Sequence, residues 1–308
     1  MPPAAPRVTV VIPAYNAEKF LLSAAESVLG QSFRALELVI VNDGSSDGTL
    51  HVARSIADPR VMILPLTNGG PARARNAGCR ERSAEFVAFL DADDLWDPGK
   101  LEAQVAYLDA HPHVVGVGCF MRYVSATGRI LGRTGQPVSE PELLLIARGE
   151  LFPFPTSSLV VRRSAFDALG GFDESFRHAG AEDIELYARL ARRGGLACVP
   201  EVLGSYRIHP KSAMARERLR INREAEFVRR RLAAREVGSD LTWQEFTASH
   251  RPSWGARWQG AVEVCYRAAA LHHAEGRAVR AVACCALALL LGPRYTLRRL
   301  RRQRRPAS

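Results

Sequence analysis

Cysteine is scarce in this 308-residue chain. Its six positions, Cys79, Cys119, Cys198, Cys265, Cys284 and Cys285, form no C-x-x-C pair and no His-flanked metal spacing. That excludes a sequence-evident zinc knuckle or dithiol redox motif and predicts a reduced, cytoplasmic protein. Long apolar runs are also missing. The longest, Ala281 to Leu291, has eleven residues, against the ~20 a helix needs to cross a bilayer. The N-terminal stretch MPPAAPRVTVVIP has no basic segment followed by an apolar stretch and a small-residue cleavage site, so no secretory signal is expected. Acid is absent from the other end: RRLRRQRR, Arg298 to Arg305, contains none.

The net charge of +10 is unevenly spread: residues 1–205 carry 20 basic and 24 acidic side chains, residues 206–308 carry 22 and 8. The basic character therefore belongs to the last third. A tail over 294–308 with this composition is either solvated and disordered or drawn to an anionic surface such as the inner face of a membrane. No aromatics are interleaved with the arginines to stack on bases, which argues against nucleic acid as a partner.

What the first hundred residues do contain is a regular alternation of strand and helix signals. Val8 to Ile12 is a β-branched run of the kind that fills a strand buried on both faces. A helix is expected from Ala17 to Leu29, capped by Asn16, then strands at Glu37–Val41, Val61–Leu64 and Phe86–Leu90 with helices at Thr49–Ile56 and Ala72 to about Arg82 between them. Such alternation implies right-handed crossovers and an α/β, Rossmann-like, mostly parallel sheet flanked by helices. In these sheets ligands sit outside the carboxyl ends of the strands. Four polar loops fall at those ends: Pro13 to Asn16, Asn42 to Asp47, Asn68 to Arg75 and Asp91 to Asp94. Turn chemistry explains any one of them alone; four on one edge predict a ligand site.

The acids at the end of the fourth strand narrow the ligand. Asp91-x-Asp93 puts two hard oxygen donors on one side of an extended segment, a set suited to Mg²⁺ or Mn²⁺ sharing its coordination with substrate phosphates. Arg73 and Arg75, beside a helix N-terminus, either meet the same anion or form an exposed helix face.

The stretches VVIPAYNAEKFLLSAAESVLGQS, ELVIVNDGSSDGT, NGGPARARNAG and FLDADD, in this order and spacing, resemble the nucleotide-binding half of the family-2 glycosyltransferases of the GT-A fold, from about Val8 to His209. By that resemblance Pro13, Ala14, Tyr15 and Asn16 line a nucleoside pocket and Asp43 accepts from the nucleobase. Asp91 lies near the ribose and sugar, and Asp93 is the metal-binding member of the D-x-D pair. Asp94 is either a sugar contact or an acid capping the following turn. Downstream, GGFDE and the Glu182-Asp183 pair resemble the acceptor side of the same family, where the second acid acts as base: Asp183 here, with Glu182 as its neighbour or alternative. Both also sit where a helix dipole favours carboxylates regardless of function. Tyr206, Arg207 and His209 in SYRIHPKSA resemble the closing segment, in which Arg207 approaches the diphosphate and His209 either ligates the metal or is an ordinary residue.

The resemblance implies a metal-dependent inverting transferase that moves a sugar from a nucleoside diphosphate sugar to a hydroxyl-bearing glycan or lipid-linked acceptor. UDP is the leading nucleotide, with dTDP and GDP open. A nucleotidyltransferase would also want paired acids, but the glycine-rich phosphate loop expected after Ile12 is not evident; a non-catalytic sugar-nucleotide sensor is the other rival. The expected organisation is a catalytic domain over 1–215, a helical C-terminal region over 216–293 containing an antiparallel pair turning at Gly276, and the basic tail. That pair is either docked core or an in-plane membrane element. Residues 122–154 carry no readable chemistry.

Overall fold

A computed structural model describes residues 5–176, 180–209 and 218–249, together with 258, 261–262, 265, 269, 278–293 and 296. The chain divides into two units: Met1–Tyr123 with Gly132–Arg207, and Val124–Leu131 with Ile208–Ser308. Tyr266, the His272-His273 pair, the expected turn at Gly276 and, Thr296 apart, the basic tail lie outside the described residues.

The first unit opens with β1 (Val8–Ala14), α1 (Leu21–Leu29), β2 (Leu36–Asp43), α2 (Thr49–Arg54), β3 (Val61–Leu66), α3 (Pro71–Arg80) and β4 (Phe86–Phe89). These strands are parallel in the order β3-β2-β1-β4, with Ala14 beside Asn42, Asp43 beside Leu66 and Val11 beside Phe89. The β1 run VTVVIPA is buried almost throughout because successive side chains feed opposite layers. Val8, Val10 and Ile12 join the core containing α1, while Val11 joins the core containing Phe89, Phe166 and Phe172. Each such fully buried side chain is worth ~1.5–3 kcal/mol relative to exposure. Close contact between α3 and the sheet depends on Gly78, where a Cβ would lie 2.5 Å from Val11 Cγ1.

Beyond β4 the sheet is mixed. After β5 (Leu95–Trp96), α4 (Lys100–Ala110), β6 (Gly116–Ser125), β7 (Ile130–Thr134) and α5 (Glu140–Ala147), a 3₁₀ turn at Thr156–Ser158 leads into β8 (Val160–Arg162). β8 runs antiparallel to both β4 and β6. Then come α6 (Arg163–Ala168), α7 (Glu182–Arg193) and β9 (Leu196–Ile208), which pairs antiparallel with β5. The silent stretch 122–154 thus supplies the end of β6, β7 and α5. In the second unit are α8 (Arg218–Glu236), α9 (Trp243–Ser249) and α10 (Ala278–Leu291).

One expected boundary is corrected. α1 starts at Leu21 rather than Ala17, because Asn16 is not its cap: Asn16 sits at φ 51°, and Ala17 first accepts the N–H groups of Phe20 and Leu21 in a turn.

Behind the strand ends lies a lysine with no solvent exposure. Lys100 Nζ donates to Gln104 Oε1 at 2.6 Å and sits 3.8 Å from the centre of the Trp96 ring. Burial pulls its ammonium down from 10.5 to about 8. Between those values the unfolded chain binds a proton that the folded one does not, so raising the pH stabilises the fold at this position. Urea unfolding of the wild type and Lys100→Met at pH values from about 7 to about 10 should show the wild type gaining relative to the variant across that window; a constant difference would place the ammonium in a better-solvated setting.

Candidate active site

The loops after β1 and β2 are zipped together. Asn16 N–H donates to Ser45 Oγ at 3.0 Å, and Asn16 Oδ1 accepts from Ser46 N–H at 2.9 Å. Ala17 N–H donates to Thr49 Oγ1 at 2.8 Å, and the Thr49 hydroxyl donates to Asp47. Ala14 is buried and Pro13 half-buried, whereas Tyr15 and Asn16 are exposed on this rim. Asp43, 3% exposed, ties in the third loop: its oxygens accept from Gly69 N–H at 2.8 Å and Gly70 N–H at 2.9 Å, fixing the entry to α3. Asp43 therefore fixes the 69–70 backbone beside the ends of β1 and β2.

Arg75 is 4% exposed, so the exposed-face reading of this residue fails. Its Nη2 donates to Asp91 Oδ1 at 2.7 Å, its Nη1 donates to Glu182 Oε1 at 2.9 Å, and the guanidinium lies 5.3 Å from the Phe172 ring centre. Burial works against its charge, but the Asp91 and Glu182 carboxylates outweigh that and hold it firmly protonated. Arg73 remains half-buried and donates to the Thr67 carbonyl.

The acids after β4 have separate environments. Asp91 is half-buried; its N–H donates to Ser157 Oγ at 3.1 Å. Asp94 is 1% exposed, accepting from Ser157 Oγ at 2.5 Å and from Arg207 N–H at 2.7 Å. Burial, then the charges of Asp93 and Asp91, push its carboxyl well above the usual range. Asp94 thus neither faces the donor edge as a surface acid nor caps its own turn; it joins the 3₁₀ turn to the end of β9. Arg207 also donates from Nε to the Asp93 carbonyl at 2.8 Å, so it stands at the acid loop. His209 falls in the second unit.

Among the described residues no three His, Cys, Asp or Glu side chains gather at metal-binding distance. Asp91 and Asp93 fit a divalent ion only as a partial donor set whose remaining positions go to water or phosphate oxygens, which is the arrangement Mg²⁺ accepts most readily. Oxygen-only donors of this kind suit Mg²⁺ or Mn²⁺ over softer metals.

At the start of α7 the two neighbouring acids diverge. Glu182, 2% exposed, spends Oε1 on Arg75 and Oε2 on the N–H groups of Gly180 at 2.7 Å and Ala181 at 3.1 Å, capping its own helix. Both Glu182 oxygens are thus engaged, one by a buried cation and one by the start of its own helix. Asp183 is half-buried; it accepts from Ile184 N–H at 2.7 Å and from Thr156 Oγ1 at 3.3 Å, and no salt bridge to it forms among the described residues. Burial first, then the adjacent Glu182 charge, push Asp183 up to about 7.

Sequence reasoning missed Thr156 and Ser157, which join the acid loop to α7, and Asn76. Asn76 donates to Phe172 O and accepts from Phe172 N–H, both at 2.9 Å, docking the GGFDE turn on α3. Gly171 in that turn has φ 74°, and a Cβ there would lie 2.5 Å from Asn76 Oδ1. The only local signal was the Thr-Ser-Ser run after Pro155, which says nothing of an acid 63 residues earlier.

The sequence pattern of glycosyl transferase family 2 matches residues 9–170. The chain belongs to that family. A second pattern, described as the N-terminal domain of galactosyltransferase, matches residues 154–212 of the family-2 chain. EpsE of Bacillus subtilis (strain 168) is 34% identical over 61% of this chain and 68% of its own length. An uncharacterized glycosyltransferase of Haemophilus influenzae is 31% identical over 66% of each. The chain thus spans about two thirds of the length of these relatives. S. aureus TarS 1-349 in complex with UDP-GlcNAc superposes with a TM-score of 0.58 at 18% identity, over 90% of each chain. The mannosyltransferase PcManGT of Pyrobaculum calidifontis in complex with GDP-Man and Mn²⁺ gives 0.57 at 22% identity, over 98% of this chain and 80% of that one. The fold is GT-A-like.

Removing one partner of a buried ion pair strands the other charge, at a cost of ~3–5 kcal/mol. Arg75→Met should lower the urea unfolding free energy by about that much, and adding Glu182→Gln should recover part of it through the coupling a double-mutant cycle measures. Additive losses would mean the pair is not energetically linked.

Proposed function

We propose that this family-2 chain is a divalent-metal-dependent, inverting glycosyltransferase. It moves a sugar from a nucleoside diphosphate sugar, with UDP-sugars first to be tested, to a hydroxyl of a glycan or lipid-linked acceptor in cell-surface glycan synthesis. One observation carries the reading: Arg75 consumes Asp91 Oδ1 and Glu182, leaving Asp183 in the same helical turn as an acid that forms no salt bridge among the described residues, raised to about 7. The nucleotide sugars bound to TarS and PcManGT support the donor class, and the Mn²⁺ of PcManGT supports the metal.

In this reading Tyr15 and Asn16 on the rim and Pro13 and Ala14 beneath them hold the nucleoside, and Asp43 acts through the 68–70 backbone as well as toward the base. Asp93 would hold the metal, Asp91 lies near the ribose and sugar, and Arg207 meets the diphosphate. Asp94 acts as a positioning residue behind them. His209 is offered as a further metal ligand on the family resemblance. When bound, Mg²⁺ or Mn²⁺ neutralises charge on the departing diphosphate. Asp183 takes the proton of the acceptor hydroxyl as its oxygen bonds to C1 on the face opposite the leaving group, and Thr156 orients the carboxylate by donating to Oδ2. With one base and no protein nucleophile in the reading, the displacement is direct and the anomeric configuration inverts.

The test is sugar release and transfer from a panel of nucleotide sugars with and without Mn²⁺, alongside thermal stabilisation by each donor. Asp183→Asn should lose ~10²–10⁴-fold in turnover while donors still stabilise it. Undiminished turnover removes Asp183 as base; a wild type that binds donors yet transfers nothing favours a sensor. Because the base works deprotonated, kcat/KM should fall as pH drops below about 7, and that acidic limb should vanish in whatever activity Asp183→Asn retains. Asp93→Asn should abolish the response to Mn²⁺, and His209→Ala should raise the Mn²⁺ concentration needed for half-maximal activity; a variant indifferent to either change removes that residue from the metal set.

A further inference from the structure

α10 is inside out. In a helix packed on a globular body the large apolar side chains point inward and the small or polar ones outward. Here the buried positions are alanines, Ala281 at 7% exposure and Ala288 at 0%, while Val279 is 85%, Val282 69%, Leu287 46% and Leu290 81% exposed. These four, with the exposed Ala283 and Ala286, recur at intervals of three and four residues and form one continuous apolar stripe. Such a contiguous apolar surface marks an interaction face. Trp258 is a further exposed aromatic, 55% accessible, whose indole N–H donates to the Leu291 carbonyl at 2.5 Å, at the C-terminal end of the same helix.

Two features identify what covers the stripe. At 14 residues α10 is about 21 Å long by its rise per residue, too short for a hydrocarbon core of about 30 Å, and no described helix is long and apolar enough to span one. It can therefore lie in the plane of an interface. The sequence immediately after it, residues 294–305, contains seven arginines and no acid. An apolar helical face followed by a polybasic run is the pair of signals that together hold a protein on an anionic bilayer, where either alone binds weakly. An indole with an apolar body and a polar tip at the helix end suits the same boundary.

We propose that the second unit docks on anionic phospholipid bilayers, with the Val279–Leu290 stripe entering the headgroup boundary and the 294–305 arginines meeting lipid phosphates. This inference is independent of the transferase reading.

The experiment is co-sedimentation of the full chain with vesicles of phosphatidylcholine and phosphatidylglycerol in equal parts, against vesicles of phosphatidylcholine alone. The wild type should pellet with the mixed vesicles, and added salt should weaken binding. The pair Val279→Asp with Leu290→Asp should reduce the bound fraction about tenfold or more, and so should Arg298, Arg299, Arg301 and Arg302 replaced together by Gln, a change that leaves the helix untouched should the aspartates impair folding. Wild-type protein that stays in solution, binding that ignores lipid charge, or binding kept by both variants overturns the proposal. So does a dimer that the aspartate pair converts to monomer without vesicle binding, which would make the stripe a contact between copies. Donor-dependent sugar release by the same preparations reports separately on the transferase reading.

Discussion

A guanidinium nearly sealed from water cannot persist without counter-charge, and Arg75 meets that requirement by gathering two carboxylates from distant parts of the chain. Asp91 is 16 residues away in sequence and Glu182 is 107 away. Desolvating three charged groups costs several kcal/mol each unless geometry and hydrogen bonding offset it. Here Asp91 and Glu182 each meet their own guanidinium nitrogen, and Glu182 also satisfies the first N–H groups of α7. The pairing joins the end of β4, the start of α3 and the start of α7. It also separates two adjacent acids chemically, because Glu182 is ion-paired to Arg75 while Asp183 is pushed upward by burial and then by the Glu182 charge beside it.

A second set of contacts holds the acid loop from below. The Ser157 hydroxyl lies between Asp91 N–H and Asp94, while the Ser157 carbonyl accepts from Trp96 Nε1 at 2.6 Å. Trp96 in turn carries Lys100 over its ring, and Gln104 links that lysine to the Val117 and Ser158 carbonyls. Each buried polar group finds a partner in the next, so the loop geometry rests on a connected network whose members support one another. Asp91 and Asp93 are left at the sheet edge, while a third acid, Asp94, is turned inward to fasten the backbone.

The second unit is held differently. α8 carries many charges, but its pairs, Glu226 with Arg229 and Arg230 and Asp240 with Arg231 and Arg235, are mostly exposed, and such pairs contribute ~0–1 kcal/mol. Among its described residues Phe227, Trp243 and Phe246 pack together, with ring centres 5.2 to 5.5 Å apart, beside the buried Val228 and Leu232. The apolar outer face of α10 then stands out as surface that the unit does not use for its own packing.

Local pattern alone determined the elements of the first hundred residues. A β-branched run such as Val8 to Ile12 has one good use, a strand buried on both faces, and four polar loops between such strands and their helices fall on one sheet edge by topology. Family membership was legible for the same reason, since the motifs occupy those loops. Tertiary structure decided where each acid sits and which partner it meets. The inward turn of Asp94, the pairing of Arg75 with Glu182 and the parts of Ser157 and Asn76 depend on partners between 63 and 113 residues away, and a carboxylate's role follows from its burial and its counter-charge. Neither is a property of a residue and its neighbours in sequence; both exist only once the chain has closed around them.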